Sequence, residues 1–250
     1  LDSLKQAPRQ RAVVDKLLSE GVVSDEQLIA LFPRAILKQL EEKLLIEPMV
    51  QSIPEIALDK LLRQNNLKLY PSQKQALEAI DHHHFNCSLL DGVTGSGKTE
   101  IYLQSIEKTL RYERQALVLI PEISLTPQTE KRFRDRFQVS IVTLHSGLTD
   151  KQRLNAWMQA RSGQAKIILG TRSAIFTPLK APGLIILDEE HDQSYKQQEG
   201  FRYSARDLAV IRAQQENIPI ILGSATPSLE SLNNCHAGRY QHLVLSTRAG

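Results

Sequence analysis

Cysteine is scarce in this sequence: only Cys87 and Cys235 occur among 250 residues. Two thiols cannot build a zinc quartet or a disulfide framework, so a reducing, cytoplasmic setting is expected. No apolar run approaches the roughly 20 residues of a membrane span, no signal peptide is evident, and no membrane partner is expected. The sequence also lacks internal repeats and low-complexity segments. It starts at Leu1 instead of Met, which predicts a piece of a longer protein.

A strong excess of one charge is also missing, because the net charge is only +3 at pH 7. Residues 1–52 carry seven Lys or Arg and eight Asp or Glu, a net charge of −1. Residues 53–250 carry 24 basic and 20 acidic residues, a net charge of +4. A bias of this size permits a polyanionic partner without requiring one.

The strongest signal is a glycine-rich segment that fits the pattern G-x-x-x-x-G-K-[ST] between an apolar run and a helical pattern. Backbone N–H groups of such a loop, with the start of the next helix, bind phosphate groups. Lys98 is predicted to reach the β- and γ-phosphates of ATP or ADP, and Thr99 to ligate Mg²⁺. The predicted nucleotide-binding residues are Gly92, Val93, Thr94, Gly95, Ser96, Gly97, Lys98 and Thr99.

A second motif joins four apolar residues to an acidic pair in the segment 184–191, LIILDEEH. The pattern predicts a buried parallel strand that ends at a metal site. Ligands of open α/β sheets bind at the carboxyl ends of the strands. Asp188 is therefore predicted to hold Mg²⁺, and Glu189 to orient and deprotonate the attacking water.

A third apolar segment, 220–228, ends in small hydroxyl residues. Its carboxyl end should lie beside the strands that carry Lys98 and Asp188. Ser224 and Thr226 are then expected to hydrogen-bond the acidic motif, which includes His191, and to couple it to the rest of the domain.

In this order the three motifs resemble motifs I, II and III of superfamily 2 DEAH-type helicases. Longer strings make the sequence similar to one family within them, the bacterial replication-restart helicases. These strings are DGVTGSGKTE (91–100), PEISLTPQ (121–128), HSGL (145–148), GTRSAIF (170–176), DEEHDQSYK (188–196), FRYSARDLA (201–209) and GSATPSLES (223–231).

The resemblance implies roles for further residues. Gln73 matches a glutamine that reads adenine, and residues 195–206 resemble an aromatic-rich loop that links DNA binding to hydrolysis. Phosphate or backbone contacts to DNA are implied for Thr171, Arg172, Ser173, Lys196, Arg202 and Arg206, and base stacking for Tyr195, Phe201 and Tyr203. Structural alternatives stay open: a surface helix position for Gln73, an internal salt bridge for Arg172 and core packing for the aromatic residues.

The resemblance also implies an activity, that of an ATP-dependent 3′-to-5′ DNA helicase in replication-fork restart and primosome assembly. Its partners would be forked or single-stranded DNA of any sequence, primosome proteins and single-strand DNA-binding protein, and a monomer is expected. Three family features have no counterpart here: a domain for the DNA 3′ end, a second lobe with an arginine finger, and a cysteine-rich zinc insertion. Zinc is therefore expected only in the missing part, and ATP hydrolysis by this chain should be slow. A double-strand DNA translocase and a nucleotide-gated DNA-binding or partner-docking module remain alternatives.

The pattern of elements predicts two domains. Residues 67–250 alternate buried strands with amphipathic helices, which predicts a mostly parallel, doubly wound α/β sheet of the P-loop, RecA-like type. Residues 1–52 predict three short helices and a β-wing at 45–50, a small winged-helix domain, and residues 53–66 a linker. The candidate strands are 87–91, 115–120, 140–145, 165–170, 183–188, 218–223 and 241–246.

Overall fold

The computed structural model describes residues 7–20, 23, 25–43, 45–46 and 58–246. The chain divides into two compact units, Leu1–Ile53 and Pro54–Gly250. The division lies next to the predicted boundary, and the domain limits given above stay a prediction.

Three helices make up the described part of the smaller unit: α1 (Pro8–Glu20), α2 (Asp25–Leu31) and α3 (Arg34–Glu42). They surround a small apolar core in which Val13 and Leu40 are fully buried. Of the predicted wing, only residues 45–46 belong to the described part of the chain. The winged-helix assignment therefore rests on its three helices and is not confirmed.

The larger unit is an α/β domain whose seven main strands follow the predicted candidates closely. Its helices are α4 (Leu58–Leu61), α5 (Pro71–Ala79), α6 (Lys98–Arg111), α7 (Pro127–Arg136), α8 (Asp150–Ser162), α9 (Ala205–Gln215) and α10 (Leu229–His236). Its strands are β1 (Cys87–Gly92), β2 (Gln115–Leu119), β3 (Ile141–Leu144), β4 (Ile167–Gly170), β5 (Pro182–Leu187), β6 (Lys196–Gln197), β7 (Tyr203–Ser204), β8 (Ile220–Ser224) and β9 (Gln241–Leu245).

Seven of these strands form one sheet in the order β3-β4-β2-β5-β8-β1-β9, and every pairing is parallel. The inner strands are buried on both faces, which is why they read as continuous apolar runs. β1 and β5 both pair with β8, so the glycine segment and the acidic segment leave the same edge of the sheet two strands apart. The prediction of a doubly wound α/β domain is confirmed.

Helices cover the two faces of the sheet and create two hydrophobic layers. Side chains of α5, α6 and α7 pack on one face, and side chains of α8 and α9 on the other. α9 lies close to the sheet because Ala205, Ala209 and Ala213, spaced four residues apart, are fully buried. Among the described helices, none is both long and apolar enough to cross a bilayer.

Residues 58–66, within the range predicted as a linker, pack on the larger unit. Leu61 is buried in the layer that contains α6, and its carbonyl accepts the N–H of Gln138 at 2.8 Å. The Arg63 N–H donates to the carbonyl of Arg136 at 2.9 Å. A segment fixed in this way belongs structurally to the α/β unit.

His82, in the turn after α5, should make stability depend on pH. Burial, with the charge of Lys108 as a smaller cause, lowers the pKa of His82 from 6.5 to about 4. The unfolded chain then binds a proton between these values while the folded chain does not, so stability should fall as the pH drops from 6.5 towards 4. The loss should reach about 3 kcal/mol. Urea unfolding across this range measures it.

The matched comparison is His82→Asn against His83→Asn, since His83 is exposed. His82→Asn should flatten the acid limb of the stability profile, and His83→Asn should leave it unchanged. An identical acid limb in both variants would contradict the assignment.

Candidate functional site

The glycine segment forms a tight loop between β1 and α6, as its sequence predicts. Gly95 and Gly97 have φ of 82° and 86°, a left-handed backbone that glycine adopts without strain. Gly92 is required for a different reason, since a Cβ there would lie 2.6 Å from Ser96 Oγ. The loop therefore combines left-handed backbone with close packing, and it ends at the first turn of α6.

Lys98, the first residue of α6, turns back over this loop. Its Nζ donates to the Gly92 carbonyl at 2.6 Å, and the side chain is largely buried. An anion held by the loop would meet this ammonium and the positive end of the helix. The arrangement is that of a phosphate-binding loop.

A cleft of about 680 Å³ opens beside the loop and contains the acidic pair. Asp188 and Glu189 line it together with Lys98 and Thr99, so the predicted catalytic and metal-binding residues face one cavity. Hydroxyl and carboxylate oxygens are ligands that Mg²⁺ prefers. The donor set therefore fits a magnesium nucleotide. The cleft extends past the loop along Gln64, Asn65, Leu67, Leu103, Arg132, Asp135 and Arg136.

Two tyrosines fix Asp188 at the end of β5. Tyr102 Oη donates to Asp188 Oδ1 at 2.9 Å, and Tyr195 Oη donates to the Asp188 carbonyl at 2.7 Å. Burial raises the pKa of Asp188, and the Tyr102 hydrogen bond offsets part of that rise. A cation in the cleft would favour the ionised carboxylate further.

Glu189 adopts an unusual backbone conformation. Its φ is 46°, in the left-handed region that residues with a side chain seldom occupy. Such strain concentrates at functional sites because surrounding contacts enforce it. Here the Glu190 N–H donates to the Gly223 carbonyl at 2.9 Å and the Asp192 N–H to the Glu189 carbonyl at 2.9 Å.

The third predicted motif lies beside the acidic one. His191 Nδ1 and Ser224 Oγ are 2.7 Å apart, and Ser224 Oγ also accepts the Thr226 N–H at 3.0 Å. Ser224 therefore joins β8 to the acidic segment through its side chain, whereas the hydrogen bond of the Thr226 N–H goes to Ser224 and not to the acidic segment. Their coupling role stays a prediction.

Gln73 lies beneath the phosphate-binding loop and does not line the cleft. Its Nε2 donates to the Ser96 carbonyl at 2.8 Å, and its Oε1 accepts the Tyr70 N–H at 2.9 Å. The side chain is buried, so the surface-helix alternative is wrong. In this conformation the amide supports the loop, and the adenine-reading role stays a prediction.

A second cavity, of about 730 Å³, contains part of the predicted DNA-contact set. Thr171, Arg172 and Ser173, after β4, line it together with Phe201 and Tyr203 of the hairpin β6–β7. The Arg172 guanidinium donates through Nη1 to the carbonyls of Ser194 and Lys196 at 3.1 and 3.0 Å. These contacts hold the base of the hairpin.

Phe176, which sequence reasoning missed, packs against Tyr203 with ring centroids 5.0 Å apart.

Two members of the predicted DNA-contact set are in the wrong place for that role. Tyr195 is 1% exposed, and its hydroxyl is engaged by the Asp188 carbonyl, so it cannot stack on a base. Arg206 is buried, and its Nη1 lies 3.2 Å from Glu190 Oε2, so its charge is neutralised internally. Phe201, Lys196 and Arg202 are exposed, as a DNA-contact role requires.

Glu190 organises a buried polar network that sequence reasoning did not assign. Its carboxylate accepts the Ser228 N–H at 2.6 Å and the hydroxyls of Ser228 and Ser231 at 2.9 and 2.8 Å. With Arg206, these donors satisfy a fully buried charge. The network ties the acidic segment to the starts of α9 and α10. The segment SATPSLES (224–231), which leads into α10, contained the signal, but the partner of Ser228, 38 residues upstream, was not apparent.

The parallel sheet, the phosphate-binding loop and the acidic strand define a P-loop nucleotide-binding domain of the RecA-like class. Residues 70–235 match the DEAD/DEAH box helicase family. The chain belongs to that family.

Similarity to curated proteins is more specific than the family match. The chain is 54% identical over 227 residues to the replication restart protein PriA of Haemophilus influenzae, covering 88% of this chain and 31% of that protein. It is 40% identical over 263 residues to the PriA of Bacillus subtilis, covering 98% of this chain and 32% of that protein. The chain thus spans about a third of the length of these relatives. The resemblance to bacterial replication-restart helicases is confirmed.

Solved structures agree at the level of fold. The chain aligns with RecG bound to a three-way DNA junction at a TM-score of 0.53 and 22% identity, over 84% of this chain and 25% of that one. It aligns with the Hef helicase domain of Pyrococcus furiosus at a TM-score of 0.54 and 22% identity, over 74% of this chain and 39% of that one.

Proposed function

We propose that this chain is the nucleotide-binding lobe of an ATP-dependent 3′-to-5′ DNA helicase that acts in replication-fork restart and primosome assembly. The observation that carries the proposal is the single cleft in which the glycine loop, Lys98 and Asp188 meet. The similarity to replication restart proteins supports the proposed process, and the match to the DEAD/DEAH box helicase family supports the helicase activity.

The predicted site residues have distinct roles in this proposal. The loop amides and Lys98 would hold the β- and γ-phosphates, and Thr99 and Asp188 would hold Mg²⁺, which would neutralise charge on the phosphates. Glu189 orients the attacking water and accepts its proton. Ser224 and His191 transmit the state of the acidic segment to β8.

DNA is proposed to lie along the cavity between β4 and the hairpin. Ser173 and the Arg172 N–H groups that do not contact the hairpin would meet phosphates, and Phe201 and Tyr203 would stack on unpaired bases. Phe201 is 75% exposed, which suits an aromatic side chain that takes up a base. Lys196 and Arg202 line a neighbouring depression with Tyr203 and would offset further phosphate charge.

Binding of DNA by this chain should be weak and independent of base sequence. A net charge of +4 on residues 53–250 neutralises few phosphates, so the slope of log K against log salt should be on the order of −2 to −4. Arg172→Ala should reduce that slope by about 1 for all sequences alike. Fluorescence anisotropy at several salt concentrations measures both values.

Lys38→Ala, in the smaller unit, is the matched control and should leave the slope unchanged. A strong preference for one base sequence that disappears in Lys38→Ala would contradict the proposal and favour readout by the helices of the smaller unit.

The helicase assignment is tested on the full-length protein. Strand displacement on a forked duplex should require ATP and should be lost in Lys98→Ala. ATP-dependent movement on duplex DNA without strand separation would favour a translocase. Restart function that survives Glu189→Gln, which should keep nucleotide binding and lose hydrolysis, would favour a nucleotide-gated binding module.

The remaining partners are proposed from the same resemblance. Primosome proteins and single-strand DNA-binding protein would dock on the full-length protein, zinc would belong to a part outside this chain, and the protein would act as a cytoplasmic monomer. Co-purification and metal analysis of the full-length protein test these assignments.

A further inference from the structure

Tyr102 is a buried residue of α6 that lies one turn after Lys98 and contacts the acidic strand. It is 2% exposed, and its hydroxyl donates to Oδ1 of Asp188 at 2.9 Å. α6 starts at the phosphate-binding loop and Asp188 ends β5, so one hydrogen bond joins the two halves of the cleft.

Gly223 of β8 provides the space for this contact. A Cβ at this position would lie 1.6 Å from Tyr102 Oη and 2.8 Å from Cζ. Gly223 is not in the left-handed region, so the need for glycine here is spatial. Its carbonyl also accepts the Glu190 N–H, so the acidic segment and Tyr102 both contact Gly223.

The hydrogen bond is selective for one oxygen of the carboxylate. Tyr102 engages Oδ1, while Asp188 as a whole lines the cleft beside Lys98 and Thr99. A carboxylate that is fixed through one oxygen presents the other in a defined direction. Partners of this kind, which orient a metal ligand from behind, typically change metal affinity 10- to 100-fold when removed.

We propose that Tyr102 is a positioning residue for the magnesium ligand: its hydroxyl holds Oδ1 of Asp188 and leaves Oδ2 for the metal, in a space that Gly223 keeps open. The proposal rests on the proposed function, in which the cleft binds a magnesium nucleotide. Tyr102 itself contacts neither nucleotide nor metal.

The test separates the contribution of Mg²⁺ to nucleotide binding from the contribution of the loop and Lys98. A fluorescent ADP analogue is titrated into the chain in EDTA and at increasing Mg²⁺ concentrations. Tyr102→Phe should leave the affinity in EDTA within about twofold of the wild type, because the loop and Lys98 are intact. The Mg²⁺ concentration for half-maximal enhancement should rise about tenfold. Gly223→Ala, on another strand, should cause the same shift.

Tyr240→Phe is the control, since it removes the hydroxyl of a partly buried tyrosine in a different environment, next to Cys87. It should bind with wild-type Mg²⁺ dependence. Circular dichroism establishes that each variant is folded, and Tyr102→Phe alone decides the matter if Gly223→Ala does not fold. Unchanged Mg²⁺ dependence in Tyr102→Phe, or an equal loss of affinity with and without Mg²⁺, overturns this inference alone. Failure of the wild-type chain to bind the nucleotide overturns the proposed function as well.

Discussion

Replacing Lys98 by alanine is expected to abolish nucleotide binding, and replacing Glu189 by glutamine is expected to preserve it. Lys98 places its ammonium at the loop, and hydrogen bonds to charged groups contribute about 1.5–3 kcal/mol each, roughly 10- to 150-fold in affinity. Several phosphate oxygens of a bound nucleotide would depend on this one ammonium, so the loss should exceed that of a single bond. Isothermal titration with ADP and Mg²⁺ measures the affinity of both variants.

Glu189→Gln tests whether the cleft can bind nucleotide without hydrolysing it. Glutamine keeps the size of the side chain and its place beside Asp188, so binding should stay within a few-fold of the wild type. It cannot accept a proton from water, so ATP hydrolysis by the full-length protein should be lost. Lys74→Ala, a surface change on α5, is the control for both variants. Wild-type affinity in Lys98→Ala would remove the phosphate-binding role from this loop.

The second large effect concerns the rate of hydrolysis by this chain alone. An arginine that meets the transferring phosphoryl group raises the rate about 10³- to 10⁵-fold. Two arginines line the cleft in the described part of the chain, Arg132 and Arg136. Arg136 forms an ion pair with Glu100 and donates to the Asn65 carbonyl. A committed guanidinium of this kind is not available to a phosphate. Since the family resemblance places the arginine finger in a second lobe, steady-state turnover should be no faster than about 10⁻² per second.

Arg132, which also lines the cleft, gives this prediction its sharpest check. Arg132→Ala should leave the slow rate unchanged, because the family resemblance implies that the missing charge comes from an arginine of a second lobe. DNA-stimulated turnover of several per second by the wild-type chain would contradict the prediction. Its loss in Arg132→Ala would then identify the arginine that supplies the charge.

The sheet was predictable because each inner strand is buried on both faces and leaves a continuous apolar run in the sequence. The strand predicted at 183–188 is observed at Pro182–Leu187, and that predicted at 115–120 at Gln115–Leu119. The phosphate-binding loop was predictable for a similar reason. Its geometry depends on adjacent residues, and the glycines mark the positions where the backbone turns left-handed or packs closely.

The polar contacts around the site could not be predicted, because they join residues that are distant in the sequence. Arg206 carries a guanidinium that would suit a phosphate contact, yet its observed partner, Glu190, lies 16 residues away on another segment. Tyr195 belongs to a polar stretch that suggested exposure, but its ring fills the core while its hydroxyl bonds to Asp188. Gln73 was assigned to a ligand, whereas its observed partner is a carbonyl 23 residues later. Sequence identifies such residues as polar and leaves their partners open.

The left-handed backbone at Glu189 places stability and activity in conflict at a single residue. Glycine would occupy φ of 46° without steric cost, so Glu189→Gly would remove strain on the order of 1 kcal/mol while deleting the proposed base. Engineering that ranks substitutions by folding energy alone would favour that exchange. β-Branched residues would be the poorest replacements, since they tolerate a left-handed backbone least. Folding stability alone would therefore not select glutamate at this position. A residue that lowers stability is expected where activity requires its side chain.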